Sequence, residues 1–465
     1  MQLQFLGATE YVTGSCYLLT VGNRRLLLDC GLIQGSFSDE EKNHQAFAFN
    51  PASIDAVILS HAHLDHSGRL PLLIKHGFTG PIYTHNATVE LCKVMLEDAG
   101  YLQERSAEWD NRKRERKGLA LLEPLYTQED ARQALENFIG LEYATTTQLF
   151  PGTNLSLFDA GHILGSAIVQ ITMQEGDQHR TLVFSGDLGH SGAPILHKPT
   201  IMQQADVVLM ESTYGNRLHR SWEETWHELG EIFGSARNDK GNILIPAFTV
   251  GRTQEILYML GQHFDDWQLT DWQIFLDSPM AIETNRIYSK YSSIYNSAAR
   301  QRFTDCGNPF DLPNLHLTES TEASMNINKL SSGAIIIAGS GMCTGGRIKH
   351  HLKHNLWRKH CHVIFVGFQA RGTPGRALVD GVKQFTLWGE TINVNAKIHT
   401  IGGLSAHADQ AGLCDWYQQF KNRPLLKLVH GEPDAQKILA EKLKADFNAP
   451  VSVAKEGETL DLLKL

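Results

Sequence analysis

Three imidazoles and one carboxylate fall within six residues at His61-Ala-His63-Leu-Asp65-His66, followed by Ser67 and Gly68. This run directly follows Ala56-Val-Ile-Leu-Ser60, which reads as a short buried strand. A strand-to-helix turn lets successive side chains diverge, so one short segment can address two neighbouring ions. Imidazole nitrogen and carboxylate oxygen are the ligands that Zn²⁺ takes besides thiolate. The competing explanation, surface histidines beside an Asp65 helix cap, leaves this density of ligand types without a cause.

One such segment has too few ligands for two ions. Three further residues each stand just past a predicted strand. His162 lies in Asp159-Ala-Gly-His162-Ile-Leu-Gly165, Asp187 in Phe184-Ser-Gly-Asp187-Leu-Gly189, and His430 in Leu428-Val-His430-Gly-Glu432. The flanking glycines suit close backbone approach. Singly, each residue reads as part of a turn. Together they complete two sites, and a shared carboxylate is a natural bridge between ions roughly 3.5–4 Å apart.

The rest of the chain gives these residues a setting. Gln2–Leu6, Ser15–Val21 and Arg25–Asp29 read as strands, the last two joined at Gly22-Asn23 as a hairpin. Residues from about Glu90 to Asn137 read as helical. Strands return at Leu155–Phe158, Ala167–Thr172, Thr181–Ser185 and Val207–Met210. Helical segments at Ser221–Ala236 and Gly251–Gly261 then alternate with apolar runs at Asn242–Pro246, Ile274–Leu276, Ala334–Ala338 and His362–Gly367. That alternation predicts a parallel, doubly wound α/β unit. Lys427–His430 and Val451–Val453 revert to the first texture. The fold class is therefore α/β, with an α/β unit inserted into a mixed αβ domain.

Composition narrows the function classes. At 42% hydrophobic and 20% charged, the 465 residues are those of a globular protein. With 42 Lys+Arg against 51 Asp+Glu the formal net charge is −9, which excludes a generic basic coat for nucleic acid but not local handling of phosphate. The 7 cysteines are scattered and never form a C-x-x-C pair, so neither a disulfide framework nor a thiolate zinc site is expected. Reduced thiols in a cytoplasmic protein are the expectation. The N-terminus lacks a secretory pattern and no apolar run approaches a membrane span, so no membrane partner is expected.

His61–Gly68, Gly161-His-Ile-Leu-Gly-Ser166 and Phe184–Gly189 together resemble the metallo-β-lactamase superfamily. Glu211 in Leu209-Met-Glu211-Ser-Thr-Tyr-Gly215, His407 in Gly402-Gly-Leu-Ser-Ala-His407-Ala-Asp409, and His430 are similar to the three motifs of its β-CASP nuclease branch. The resemblance runs from Phe5 to about Leu443. It implies a metallo-β-lactamase αβ/βα sandwich made of residues 1–208 and 391–465. A β-CASP domain with a parallel sheet, residues 209–390, is inserted between them, and the active site lies in the cleft between the two domains. It also implies two Zn²⁺ ions per chain. His61, His63 and His162 would hold one, Asp65, His66 and His430 the other, and Asp187 would bridge, while Asp29 supports the site without ligating.

The catalytic groups implied are Asp65, Glu211 and His407, with His407 oriented by Glu211 as general acid. The implied function is a zinc-dependent ribonuclease that hydrolyses single-stranded RNA endonucleolytically by metal-activated hydroxide, leaving a 5′-phosphate and a 3′-hydroxyl. A homodimer is compatible with this reading. A histidine at position 430 leans toward RNA, since the DNA-directed branch tends to carry an aliphatic residue there. A DNA-directed nuclease and a small-molecule metallo-hydrolase are the alternatives.

Gly339-Ser-Gly-Met-Cys-Thr-Gly-Gly-Arg347 follows a buried strand and precedes a segment rich in His and Lys. Backbone N–H groups in such a turn can cradle phosphate. Ser340, Gly341, Thr344 and Gly345, with Arg252 and Arg371, are therefore the expected substrate contacts. The basic run Arg112–Lys117 reads as a solvated helix face, and His350, His351 and His354 as one face of a helix, not a third metal site.

Overall fold

The computed structural model describes residues 1–465 except 368 and 371. The chain forms two compact units. Residues 1–191, 197–218 and 407–465 make the first, and residues 192–196 and 219–406 the second.

The first unit contains two seven-stranded sheets. One runs in the order Thr459–Asp461, Gln2–Gly7, Cys16–Val21, Arg24–Leu28, Ala56–Ile58, Ile82–His85 and Phe138–Leu141. The other runs Val451–Val453, Leu425–Val429, Val207–Glu211, Gln178–Phe184, Ala167–Glu175, Thr153–Asp159 and Thr146–Phe150. Alternate residues of the strands meet in one core, among them Leu3 and Phe5, Tyr17 and Leu19, Leu155 and Leu157, and Leu182 and Phe184. This is the two-residue period of a pleated strand. Each such side chain contributes roughly 1.5–3 kcal/mol when removed from water.

The strand Val207–Glu211 is buried at every position because it serves two cores. Val207 and Leu209 join the first cluster. Val208 and Met210 join a second, with Leu413, Trp416 and Tyr417 of the helix Gln410–Tyr417 and Leu439 and Leu443 of the helix Pro433–Phe447. A strand covered on both faces reads as a continuous apolar run, which is why it was plain in the sequence. At Gly22-Asn23 the expected hairpin forms, with Val21 paired to Arg24.

The expected helix from about Glu90 to Asn137 is broken. Asn86–Glu115 is one helix and Gln128–Leu135 another. Gly118, at φ +63°, lies in the non-helical link between them. Thr127 caps the second helix: Asp130 N–H donates to Thr127 Oγ1 at 3.1 Å, and Thr127 N–H donates to Asp130 Oδ2 at 2.8 Å. That reciprocal cap fixes a new helix start where composition alone suggests continuation. Among the strands absent from the sequence reading, Ile82–His85, Phe138–Leu141 and Thr146–Phe150 are short, and the last two lie at sheet edges.

The second unit holds a six-stranded, wholly parallel sheet in the order Leu315–Leu317, Gln273–Leu276, Ala334–Ala338, Ile243–Pro246, His362–Phe365 and Lys397–Thr400. Just past Gln273–Leu276, fully buried Asp277 accepts from Ser324 Oγ at 2.6 Å, His351 Nε2 at 2.6 Å and Arg347 Nη1 at 2.7 Å. His351 is thus a structural partner on the helix Ile348–Asn355. Burial opposes ionisation of Asp277, but the hydrogen bonds from His351, Ser324 and Arg347 outweigh it and hold its carboxyl below the usual range. Its contribution is complete above the unfolded-state pKa, about 3.9, and is lost as pH falls through the lower folded value. Asp277→Ala should destabilise the fold by about 3–5 kcal/mol, since it takes the acceptor from the fully buried His351 imidazole and from Ser324 and removes the carboxylate paired with Arg347. Denaturant unfolding of the whole chain checks this; a loss below about 1 kcal/mol would contradict it.

The seven cysteines are all unpaired, six of them buried. Among the described residues, no helix is long and apolar enough to cross a membrane.

Candidate metal centre

Every member of the centre lies in the first unit, at or just beyond a strand end. The strand Ala56–Ile58 leads through Ser60 to His61, and the four-residue helix Leu64–Ser67 carries Asp65 and His66. His162 follows Thr153–Asp159, Asp187 follows Gln178–Phe184, and His430 follows Leu425–Val429. Two glycines permit this convergence. Gly186 has φ +53°, and a Cβ there would stand 2.9 Å from Ser60 Cβ. A Cβ on Gly189 would stand 1.9 Å from the Gly161 carbonyl oxygen, so only glycine lets the Asp187 and His162 loops touch.

Two groups of ligand atoms result. His63 Nδ1 lies 3.2 Å from both His61 Nε2 and His162 Nε2. Asp187 Oδ2 lies 3.4 Å from His61 Nε2 and 3.5 Å from His162 Nε2. In the second group His66 Nε2 is 3.2 Å from His430 Nε2, and Asp65 Oδ2 is 3.4 Å from His430 Nε2. Asp187 Oδ2 closes this group too, 3.4 Å from His66 Nε2. The structure thus brings together all seven expected ligands, His61, His63, His162 and Asp187 in one group and Asp65, His66 and His430 in the next, with Asp187 Oδ2 reaching across to His66.

These spacings fit a metal. A tetrahedron with ligand bonds of about 2.05 Å has edges of about 3.3 Å, the separation seen here. The Asp187 carboxylate is 2% exposed, and its Oδ1 has no hydrogen-bond donor. A buried carboxylate oxygen without a donor is costly unless a cation faces it. Burial, and then the His66 charge, hold His61 well below the ordinary imidazole pKa, which leaves it neutral with a lone pair to offer. Burial opposes ionisation of Asp187 and Asp65 as well. The histidines overcome it, driving Asp187 well below the usual carboxylate range and Asp65 to about 2. Burial also disfavours a proton on His66, yet the carboxylates of Asp187, Asp65 and Asp29 raise its pKa well above the ordinary value. The same negative field favours a divalent cation in the proton's place.

Neighbouring side chains aim the ligands. Asp29, fully buried at φ +57°, accepts from His66 Nδ1 at 2.7 Å, Ser60 N at 2.8 Å, Ser60 Oγ at 2.9 Å and Ser15 Oγ at 3.0 Å. It touches His66 through Nδ1 and so turns Nε2 toward the cluster. Ser166 Oγ accepts from His162 N at 3.0 Å, and Thr213 Oγ1 lies 3.2 Å from His430 Nδ1. Ser166 and Thr213 lie within the motifs, and Ser60 directly before one, but none was given a role of its own in the sequence, and Ser15 lies apart from every motif.

Beside the cluster, His407 Nδ1 lies 3.1 Å from each oxygen of fully buried Glu211. Glu211 also accepts from Leu188 N at 2.7 Å, next to Asp187. The His407 ring is 4.5 Å from that of His162, and Nδ1 is 3.9 Å from Asp187 Oδ2. Burial disfavours the imidazolium, but Glu211 and Asp187 outweigh it and bring His407 to about 9. An imidazole oriented by Glu211, with its protonated form favoured by the neighbouring carboxylates, therefore stands beside the ligand cluster.

The expected substrate contacts belong to the second unit. Ser340 and Gly345 close a turn on each other: Ser340 N donates to Gly345 O at 3.2 Å and Gly345 N to Ser340 Oγ at 3.2 Å. Thr344 Oγ1 is 3.1 Å from Ser340 Oγ, and a Cβ on Gly341 would stand 2.9 Å from the Phe248 ring. Arg252 is 7% exposed and pairs with Glu255 one helical turn on. Arg371 lies outside the described residues.

Known proteins extend this geometry. Residues 10–235 match the metallo-β-lactamase superfamily, 253–378 the Beta-Casp domain, and 391–454 the Zn-dependent metallo-hydrolase RNA specificity domain. The chain is 40% identical over 459 residues to Ribonuclease TTHA0252 of Thermus thermophilus, spanning 98% of this chain and 99% of that protein. The chain belongs to the β-CASP nuclease family of the metallo-β-lactamase superfamily. This β-CASP protein is a metal-dependent nuclease, and its His/Asp cluster is suited to metal. It is also 32% identical over 443 residues to Transcription termination factor FttA of Methanocaldococcus jannaschii, spanning 93% of this chain and 67% of that one. A crystal structure of a protein of unknown function from Enterococcus faecalis V583 shares the fold, with TM-score 0.56 at 13% identity and 99% coverage of both chains.

Proposed function

We propose that this β-CASP nuclease is a two-zinc ribonuclease that cleaves single-stranded RNA endonucleolytically. The observation that carries the metal count is Asp187 Oδ2, which sits within 3.5 Å of imidazole nitrogens from both groups. His61, His63 and His162 would hold one ion, and Asp65, His66 and His430 the other. When bound, such a pair supplies charge neutralisation for a phosphodiester and acidifies water.

The chain's own residues do the rest. Asp29 and Thr213 keep the His66 and His430 rings in register. Glu211 occupies His407 Nδ1, so the transferable proton of the imidazolium is on Nε2. We assign that proton to the departing 3′ oxygen, which leaves poorly as an alkoxide. The match to an RNA specificity domain at residues 391–454, the ribonuclease named above and the histidine at position 430 support RNA as the substrate. We further assign the Ser340–Gly345 turn, Arg252 and Arg371 to substrate contact.

Matched end-labelled single-stranded RNA and DNA, together with a circular RNA, test the proposal. RNA should be cleaved faster than DNA, and the circle, which offers no end, should be opened. DNA cleaved in preference would overturn the substrate assignment; an untouched circle beside trimmed linear RNA would overturn endonucleolytic action.

A further inference from the structure

The protein's net charge is −9, yet Arg347 to His360 carries five Lys+Arg, four His and no Asp or Glu. The end of this segment, Trp357 to Cys361, lines a cavity of about 360 Å³ with Lys240, Ser331 and Asn395. That volume is at the small end of ligand pockets, roughly 300–1,000 Å³. Among the described residues, none that lines it is acidic, and no ion pair engages Lys240, Arg358 or Lys359. The neighbouring carboxylate, Asp239, is taken by Lys397 Nζ at 2.5 Å and His362 Nε2 at 2.9 Å.

The site is built, not merely charged. Arg358 Nη1 donates to the Leu330 carbonyl at 3.0 Å, and its guanidinium lies over the Trp357 ring at 5.3 Å. Asn395 Nδ2 donates to the Trp357 carbonyl at 3.0 Å. Lys240 holds a left-handed conformation, φ 55°, at the end of the helix Trp222–Asp239. Next to it a Cβ on Gly241 would stand 1.6 Å from the His360 carbonyl oxygen, so the two walls of the cavity touch. Trp357 nevertheless stays 54% exposed. A large indole left open beside one fixed guanidinium and two lysines without carboxylate partners is the combination that holds a base by stacking and its phosphate by charge.

Position separates this cavity from the Ser340–Gly345 turn. Lys240, Ser331, Cys361 and Asn395 precede the strands Ile243–Pro246, Ala334–Ala338, His362–Phe365 and Lys397–Thr400, whereas that turn follows Ala334–Ala338. About 16 Å of strand lies between the two ends.

We propose that this cavity is a second binding site, for a nucleoside phosphate, with Trp357 as the stacking platform and Lys240, Arg358 and Lys359 as the phosphate partners. The nucleoside phosphate is either a free nucleotide or one residue of an RNA strand. The proposal stands apart from the ribonuclease reading, since no ligand of the metal cluster takes part.

The test measures binding to the whole metal-loaded protein, by calorimetry with ADP and by filter binding with a 24-nucleotide phosphorothioate RNA. Wild type is compared with Trp357→Ala and Lys359→Ala, both exposed positions. ADP binding at one site, weakened at least about tenfold in both variants with RNA affinity unchanged, identifies a free nucleotide as the ligand. RNA affinity reduced at least about fivefold in both variants identifies a nucleotide of the strand. Affinities for both ligands within twofold of wild type in both variants would overturn the proposal. Because binding alone is read, failure of RNA cleavage would leave these outcomes intact.

Discussion

Asp187→Asn should lower kcat for RNA cleavage by about 10³-fold or more and remove most of the bound zinc. The wild-type carboxylate reaches ring nitrogens of both ligand groups through one oxygen, at 3.4 to 3.5 Å. An amide at this position offers one neutral oxygen and a nitrogen that cannot ligate. It also removes the negative charge around which His430, His66, His407 and His61 gather. The substitution conserves volume, so the fold should survive, and circular dichroism with metal analysis separates loss of metal from loss of structure. A variant with wild-type zinc content and wild-type turnover would show that Asp187 does not bridge.

The second large effect belongs to His407. His407→Ala should reduce cleavage by about 10²–10⁴-fold, the usual contribution of a positioned general acid, while zinc content stays as in wild type. A structural role would slow all substrates alike. A proton donor instead gives a selective defect, so a substrate whose 3′-bridging oxygen is replaced by sulfur should be cleaved nearly as well by the variant. A thiol of pKa about 8.5 leaves without protonation, whereas an alcohol does not. Glu211→Gln should show the same selectivity more mildly, since an amide can still accept from His407 Nδ1 but no longer favours the imidazolium. Equal losses on the oxygen and sulfur substrates would contradict the assignment.

Legibility followed how local each signal was. The residues of the cluster were visible because each is a metal-ligating type at the end of an apolar run, beside a glycine that lets two loops close up. The side chains that aim them were not. Ser15 and Ser60 meet Asp29 only because three separate strand ends converge, and Thr213 meets His430 across two neighbouring strands. No spacing in the sequence records such meetings. In the fold, the doubly covered strand at Val207–Glu211 was plain, while the half-exposed edge strand at Thr146–Phe150 was not, because one polar face dilutes its pattern. The break between the helices Asn86–Glu115 and Gln128–Leu135 rests on the Thr127–Asp130 cap, a four-residue signal inside a composition that otherwise favours helix. Arg252 and Glu255, three apart on one helix face, pair with each other, and that spacing was readable.

Metal-dependent activity separates the two-ion centre from every simpler site. Protein stripped with EDTA and dialysed should be titrated with ZnCl₂ while RNA cleavage and bound zinc are followed together. Cleavage should return only as the second equivalent per chain is taken up, with little activity at one. Full activity at one equivalent or less would contradict a centre in which Asp187 joins two ions.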